Sequence, residues 1–201
     1  MAVIDKRGVL ARFQAGERLS IELGCGPHKR DAEAVGFDAL DFPGVDLVGD
    51  VFESLAQLPA HSVSACYSAH FFEHIDDLPH LIDELGRTLA PGAIATIKVP
   101  HFANPYFYSD PTHSRFFGLY TMSYFARDAL LRRKVPNYGR TPAFELAAVR
   151  FGFDSPFPVR GLLKRAIGPI FNLTTWVQEF YEENLCYLFP CYEIEYRLRR
   201  L

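Results

Sequence analysis

Leu-Ser-Ile-Glu-Leu-Gly-Cys-Gly-Pro, residues 19–27, decides the architecture of this 201-residue chain. Its first half is a short apolar run of the kind that fills a buried parallel strand. Its second half is a turn punctuated by Gly24 and Gly26. Glycine reaches backbone angles that other residues avoid, and its missing side chain lets a ligand touch the main chain. A strand ending in such a turn places that ligand at the carboxyl edge of an open α/β sheet. A dinucleotide would want a third glycine, G-x-G-x-x-G, where this chain has Lys29.

Working outward, residues 27–34 leave room for a turn or two of helix, a short first crossover. Residues 35–40 read as a second strand, with Asp38 near its end, where a carboxylate can accept from ribose hydroxyls. Asp41 is the nearby competitor. Residues 45–50 read as a third strand closed by Asp50 and followed by Val51, and residues 64–68 as a fourth. Leu81, Ile82, Leu85 and Leu89 then keep helical spacing up to the Pro91-Gly92 stop. Residues 93–99 are a nearly continuous apolar fifth strand, expected at the centre of the sheet.

Several motifs occur here in one order: Glu22 before Gly24-Cys25-Gly26, Gly36-x-Asp38, Asp50-Val51, Glu73-His74 followed by an acidic pair, and Arg87-x-Leu89-x-Pro91-Gly92. In these motifs residues 19–100 resemble class I S-adenosylmethionine-dependent methyltransferases. The resemblance implies a doubly wound, mostly parallel, seven-stranded Rossmann-like sheet with helices on both faces. It implies S-adenosylmethionine as cofactor, held by Glu22, Gly24, Cys25, Gly26, Asp38, Asp50 and Val51, with His70 facing the methyl donor. Cys25 is read as a small residue that fits the turn, not as a nucleophile. Glu73 and His74 match a family habit, which makes His74 structural. His70 and His74 sit one helical turn apart, a metal-holding spacing, but the glutamate that follows the first His in zinc proteases is absent. No metal is expected; an ion held by His101, Asp110 and His113 with His70 is the lesser alternative, since no spacing enforces it.

Residues 101–140 form an aromatic-rich insert after the fifth strand, with His101, Tyr106, Phe107, Tyr108, Phe116, Phe117 and Tyr120. Such a loop is either a hydrophobic plug or a wall that stacks on a planar or sugar substrate. Asp110-Pro-Thr-His113 gives it a polar cluster that a plug does not need. The cluster and the helix expected over residues 121–133 resemble a tract of bacterial methyltransferases that tailor glycans and small metabolites. Methyl transfer to a hydroxyl needs a base, and histidine titrates near neutrality. His113 or His101 is the candidate base, with Asp110 orienting it. The competing reading makes Asp110 an Asx turn and His113 a helix cap.

Residues 144–153 read as a sixth strand. Residues 161–184 read as an amphipathic helix pair broken at Gly168-Pro169, suited to core packing, a homodimer contact or a membrane surface. Residues 192–198 alternate and read as an antiparallel seventh strand. The chain is taken as one domain: residues 1–18 as a lid or edge segment, 19–100 for the cofactor, 101–140 facing the substrate and 141–201 as C-terminal strands and helices.

Composition narrows the partners. Formal net charge is -3, which argues against a nucleic-acid partner. No uncharged run reaches the roughly 20 apolar residues of a membrane span. The four cysteines form no C-x-x-C, and no export signal is evident, so free thiols in a cytoplasmic enzyme are expected. The expected reaction is methyl transfer to a small-molecule or glycan hydroxyl. The rivals are a non-catalytic S-adenosylmethionine-binding module and a nicotinamide-dependent oxidoreductase.

Overall fold

The computed structural model describes residues 3–201; Met1 and Ala2, part of the expected N-terminal lid, lie outside them. In chain order the elements are β1 (Ile4–Asp5), α1 (Val9–Gln14), β2 (Leu19–Leu23), β3 (Val35–Asp38), β4 (Leu47–Val48), α2 (Val51–Ala56), β5 (Val63–Ala69), α3 (Leu78–Thr88), β6 (Leu89–Pro100), β7 (Ala126–Arg127), β8 (Phe144–Gly152), α4 (Pro158–Phe171), α5 (Thr175–Asn184) and β9 (Glu193–Arg200). Single 3₁₀ turns lie at Phe72–His74, Phe107–Ser109 and Thr121–Tyr124.

Among the described residues nine strands join one sheet in the order β1-β4-β3-β2-β5-β6-β9-β8-β7. The run from β4 to β6 is parallel. β9 lies antiparallel between β6 and β8. The α/β Rossmann-like expectation holds, but the sheet is mixed and has nine strands, not seven. The two extra strands are two-residue pieces at the edges, β1 beside β4 and β7 beside β8. Pieces that short show no alternation in a sequence.

Other expectations are corrected by local bonds. Residues 24–34 form turns without any helix. The helix expected at 121–133 is a 3₁₀ turn followed by β7, because the Asp128 carboxylate accepts from Ser123 Oγ and from the Leu130 and Leu131 N–H groups. That local competition opposes a helix interior. Pro169 lies inside α4, and the break comes at Asn172. The Asn172 side chain bonds both the N–H and the C=O of Phe151, tying the junction to β8.

The core lies on one face of the sheet. Ile21, Leu23, Ile97, Val99, Ile194, Tyr196 and Phe144 pack there with Phe13 of α1, Leu55 of α2 and Leu81 and Leu85 of α3. The opposite face is open over the middle strands. Glu22, Ala65, Tyr67, Thr96 and Arg197 line a trough of about 380 Å³ there. This follows from the missing first crossover helix. Among the described residues no helix is long and apolar enough to cross a membrane.

Candidate functional site

The turn after β2 is held open by glycines in the left-handed region, Gly24 at φ +64 and Gly26 at φ +56. Two carboxylates fix it from behind. Glu22 accepts the Arg30 N–H at 2.9 and 3.1 Å, and burial pushes its carboxyl above the usual range. Asp38 accepts from the Gly26 N–H at 2.8 Å and from the Leu40 N–H at 2.9 Å. Lys29, in the place of a third glycine, is buried. Its Nζ donates to Asp46 at 2.9 Å and to the Ala34 carbonyl at 2.6 Å. A buried ion pair thus braces the loop that a crossover helix would otherwise hold.

At the carboxyl edge Gly24, Asp38, Gly49, Asp50, Val51 and Phe71 line a cavity of about 130 Å³. Asp50 also caps α2, its Oδ1 accepting the Phe52 and Glu53 N–H groups. Asp41 is elsewhere, paired with Lys6 at 2.6 Å. Gly24, Asp38, Asp50 and Val51 are therefore brought together, and Gly26 adjoins them through its bond to Asp38. Glu22, Cys25 and His70 do not line this cavity. Glu22 holds the loop, and Cys25 packs with Val45 and Val48 in a second small cluster. Burial, with Asp38 and Glu22 nearby, pushes the Cys25 thiol up to about 12. Cys25 is thus expected to resist iodoacetamide at pH 8 in the folded protein and to react on unfolding. Mass spectrometry of the labelled peptide checks this, and rapid labelling of the native chain would overturn it.

An adenosine-bearing cofactor fits the residues of this crevice. Gly24 and Gly49 spare the crevice two side chains, and the Asp38 and Asp50 carboxylates are among its lining. The cavity is nevertheless smaller than the roughly 300–1,000 Å³ of usual ligand sites. The cause is Phe71, whose ring lies over Gly24: a Cβ added to Gly24 would meet it at 2.6 Å. The crevice is thus partly filled by a side chain that the sequence did not single out.

The second group of side chains sits beside Phe71. His70 holds a left-handed φ of +53. Its ring lies between Glu193 at 3.4 Å and Glu73 at 3.6 Å, and these carboxylates, Glu193 first, hold it up at about 9. Residues 110–115 dock on this turn. Ser114 and Arg115 donate their N–H groups to the Glu73 carbonyl, and the Arg115 guanidinium donates to the Ile75 and Asp76 carbonyls. Docking brings His113 Nε2 to 3.6 Å from Asp110 Oδ2 and 4.0 Å from Glu73 Oε1. Asp110 also makes the Asx turn, accepting Thr112 N–H and Oγ1 on its other oxygen. Asp110 and His113 remain together as expected.

His101 does not join them. It is fully buried, with Nε2 at 3.0 Å from Glu182 and Nδ1 accepting the Ala103 N–H. This corrects its assignment beside the acceptor: it anchors the base of the insert to α5. The aromatic insert is divided too. Phe107 and Phe117 are buried, while Tyr106, Tyr108 and Phe116 are exposed. Phe107 packs on both His113 and Phe116. Glu73, read from the sequence only as part of the Glu73-His74 motif, is buried beside His113.

Comparison with known proteins points to the same fold. Residues 21–97 match the family model described as a methyltransferase domain. No curated protein sequence matches. Among solved structures, an S-adenosylmethionine-dependent methyltransferase from Archaeoglobus fulgidus aligns over 96% of this chain and 93% of its own, with TM-score 0.59 and 18% identity. Haemonchus contortus phosphoethanolamine N-methyltransferase 2, in complex with S-adenosyl-L-methionine, aligns over 96% of this chain and 51% of its own, with TM-score 0.53 and 15% identity. A 16S rRNA adenine N1-methyltransferase from Catenulisporales acidiphilia aligns over 100% and 99%, with TM-score 0.50 and 13% identity. At such identities the structural likeness speaks for the fold, while the domain match covers the strands that form the crevice.

Proposed function

We infer that this chain, an S-adenosylmethionine-dependent methyltransferase, methylates a hydroxyl oxygen of a small-molecule or glycan acceptor lying between the crevice and residues 101–116. When bound, S-adenosylmethionine supplies an electrophilic methyl carbon on a cationic sulfur. The protein's part is to align the acceptor oxygen and receive its proton. Asp38, Asp50, Val51 and the Gly24 and Gly26 backbone hold the donor. The Asp110–His113 pair receives the proton, and the exposed rings of Tyr108 and Phe116 offer a stacking face for a sugar or planar acceptor. The observation that carries this reading is the docking of residues 110–115 onto the turn after β5, beside the crevice. A formal net charge of -3 gives no attraction for a phosphate backbone, which favours a small acceptor.

The test has two arms. Calorimetry is expected to show S-adenosylmethionine binding, weakened in Asp38→Ala by about 1–3 kcal/mol, the scale of lost charged hydrogen bonds. Methyl-labelled donor is expected to mark hydroxyl-bearing glycans or metabolites and to leave RNA unmarked. NAD binding in place of the donor, unchanged affinity in Asp38→Ala, or label on RNA would each remove a stated part. Donor binding without any transfer would favour a non-catalytic module.

A further inference from the structure

Glu73 is fully buried, yet neither of its carboxylate oxygens has a hydrogen-bond partner among the described residues. Buried carboxylates are ordinarily hydrogen-bonded or bound to a metal, and Glu73, which has only ion-pair distances to two histidine rings, needs an explanation. Its neighbours are histidines just beyond hydrogen-bond reach, His70 at 3.6 Å and His113 at 4.0 Å. Glu73, His74 and His113 each place one ligating atom within 4.8 Å of the others.

The proton positions follow from the bonding. His113 Nδ1 faces the Phe107 carbonyl at 2.9 Å, which can only accept, so that nitrogen carries the proton. Thr112 Oγ1 donates to Asp110 at 2.6 Å, so toward His74 Nδ1 at 2.9 Å it must accept. The Thr112 carbonyl, also near that nitrogen, can only accept as well. Both rings therefore keep their Nε2 lone pairs free. Orientation of imidazoles by a bond at the other nitrogen is how ligating histidines are usually held.

We propose that Glu73, His74 and His113 bind a divalent transition-metal ion of the zinc class, leaving a fourth position for the acceptor oxygen. Two histidines, one carboxylate and an open position are a known donor set for catalytic zinc. Bonds of about 2.0–2.2 Å put tetrahedral ligand atoms about 3.4 Å apart. The 4.0 Å between His113 Nε2 and Glu73 Oε1 then closes by a small side-chain shift. The ion deepens the proposed reaction and rests on it only for the fourth ligand. It would acidify the acceptor hydroxyl. The O–H bond breaks, the oxygen keeps its electron pair, and the proton passes to Asp110 Oδ2, the oxygen that Thr112 leaves free. The pair's work is then divided: His113 ligates and Asp110 takes the proton.

The test is metal binding, read apart from turnover. Chelator-stripped protein is titrated with Zn²⁺ against a chromophoric chelator, with folding followed by circular dichroism. One equivalent per chain is expected. Glu73→Gln should lose tight binding while staying folded, and Thr112→Val, which leaves His74 Nδ1 only the Thr112 carbonyl at 3.3 Å, should weaken it by about 10-fold. His28→Ala, an exposed histidine outside the cluster, should bind as the parent does. No stoichiometric binding, or equal binding by Glu73→Gln, would overturn the proposal and leave Glu73 neutralised by a protonated His70. Zinc bound without donor binding would sink the methyltransferase reading and leave the ion site standing; donor bound and transferred without zinc would do the reverse.

Discussion

Asp46→Ala is expected to destabilise the protein by about 3–5 kcal/mol, the range for removing one partner of a buried ion pair. Asp46 and Lys29 have side chains only 4% and 8% exposed. Without the carboxylate the Lys29 ammonium stays buried with only the Ala34 carbonyl to accept from it. The Gly36 N–H, which donates to Asp46 at 2.8 Å, also loses its acceptor. Arg7, 3.1 Å from the other oxygen, is more exposed and can return to water. For a chain of this size the loss corresponds to a fall in Tm of roughly 6 to 20 °C. Adding Lys29→Met removes the stranded charge and should recover part of it. Thermal and denaturant unfolding check both variants. A loss under about 1 kcal/mol for Asp46→Ala would mean that water screens the pair as it does on a surface.

His113→Ala is expected to slow turnover by about 100-fold or more while sparing donor affinity. The Nε2 atom faces Asp110 and Glu73, and His113 is not among the residues that line the cavity with Asp38 and Asp50. Loss of the ring should therefore fall on the chemical step rather than on donor binding, and in kcat rather than only in KM. The ring also anchors Phe107 through its Nδ1 bond and by stacking. A purely anchoring role would appear as a raised acceptor KM and a lower Tm with kcat intact. Steady-state kinetics, donor calorimetry and a melting curve on one preparation separate the two roles. A variant with full kcat would leave His113 as a structural residue.

The crevice was legible in the sequence because glycines and carboxylates at strand ends follow from backbone geometry alone. Gly24, Asp38 and Asp50 sit near each other for that reason. What escaped were features set by contacts between distant segments. Phe71 looked like one more aromatic, and only the approach of β5 to the β2 turn puts its ring on Gly24. His101 and His113 lie twelve positions apart in similar company. The fold turns one toward Glu182 beneath the insert and the other toward Glu73. Lys29 was visible as a missing glycine; its buried pairing with Asp46 depends on β3 and β4 lying side by side. The third strand and the helix after the insert were overextended, since Asp128 and the short edge pieces act through local bonds that periodicity does not register.

The trough across the middle strands has a consequence for the chain's tolerance of change. On its wet side, a new side chain at Ala65 or Thr96 meets solvent, so solubility decides its fate. One residue along, at Cys66 or Ile97, the newcomer must fit a filled space, and shape decides. The central strands of this molecule therefore accept and reject replacements in alternation, as an outer strand of a sandwich does, although their place in the sheet is the very middle.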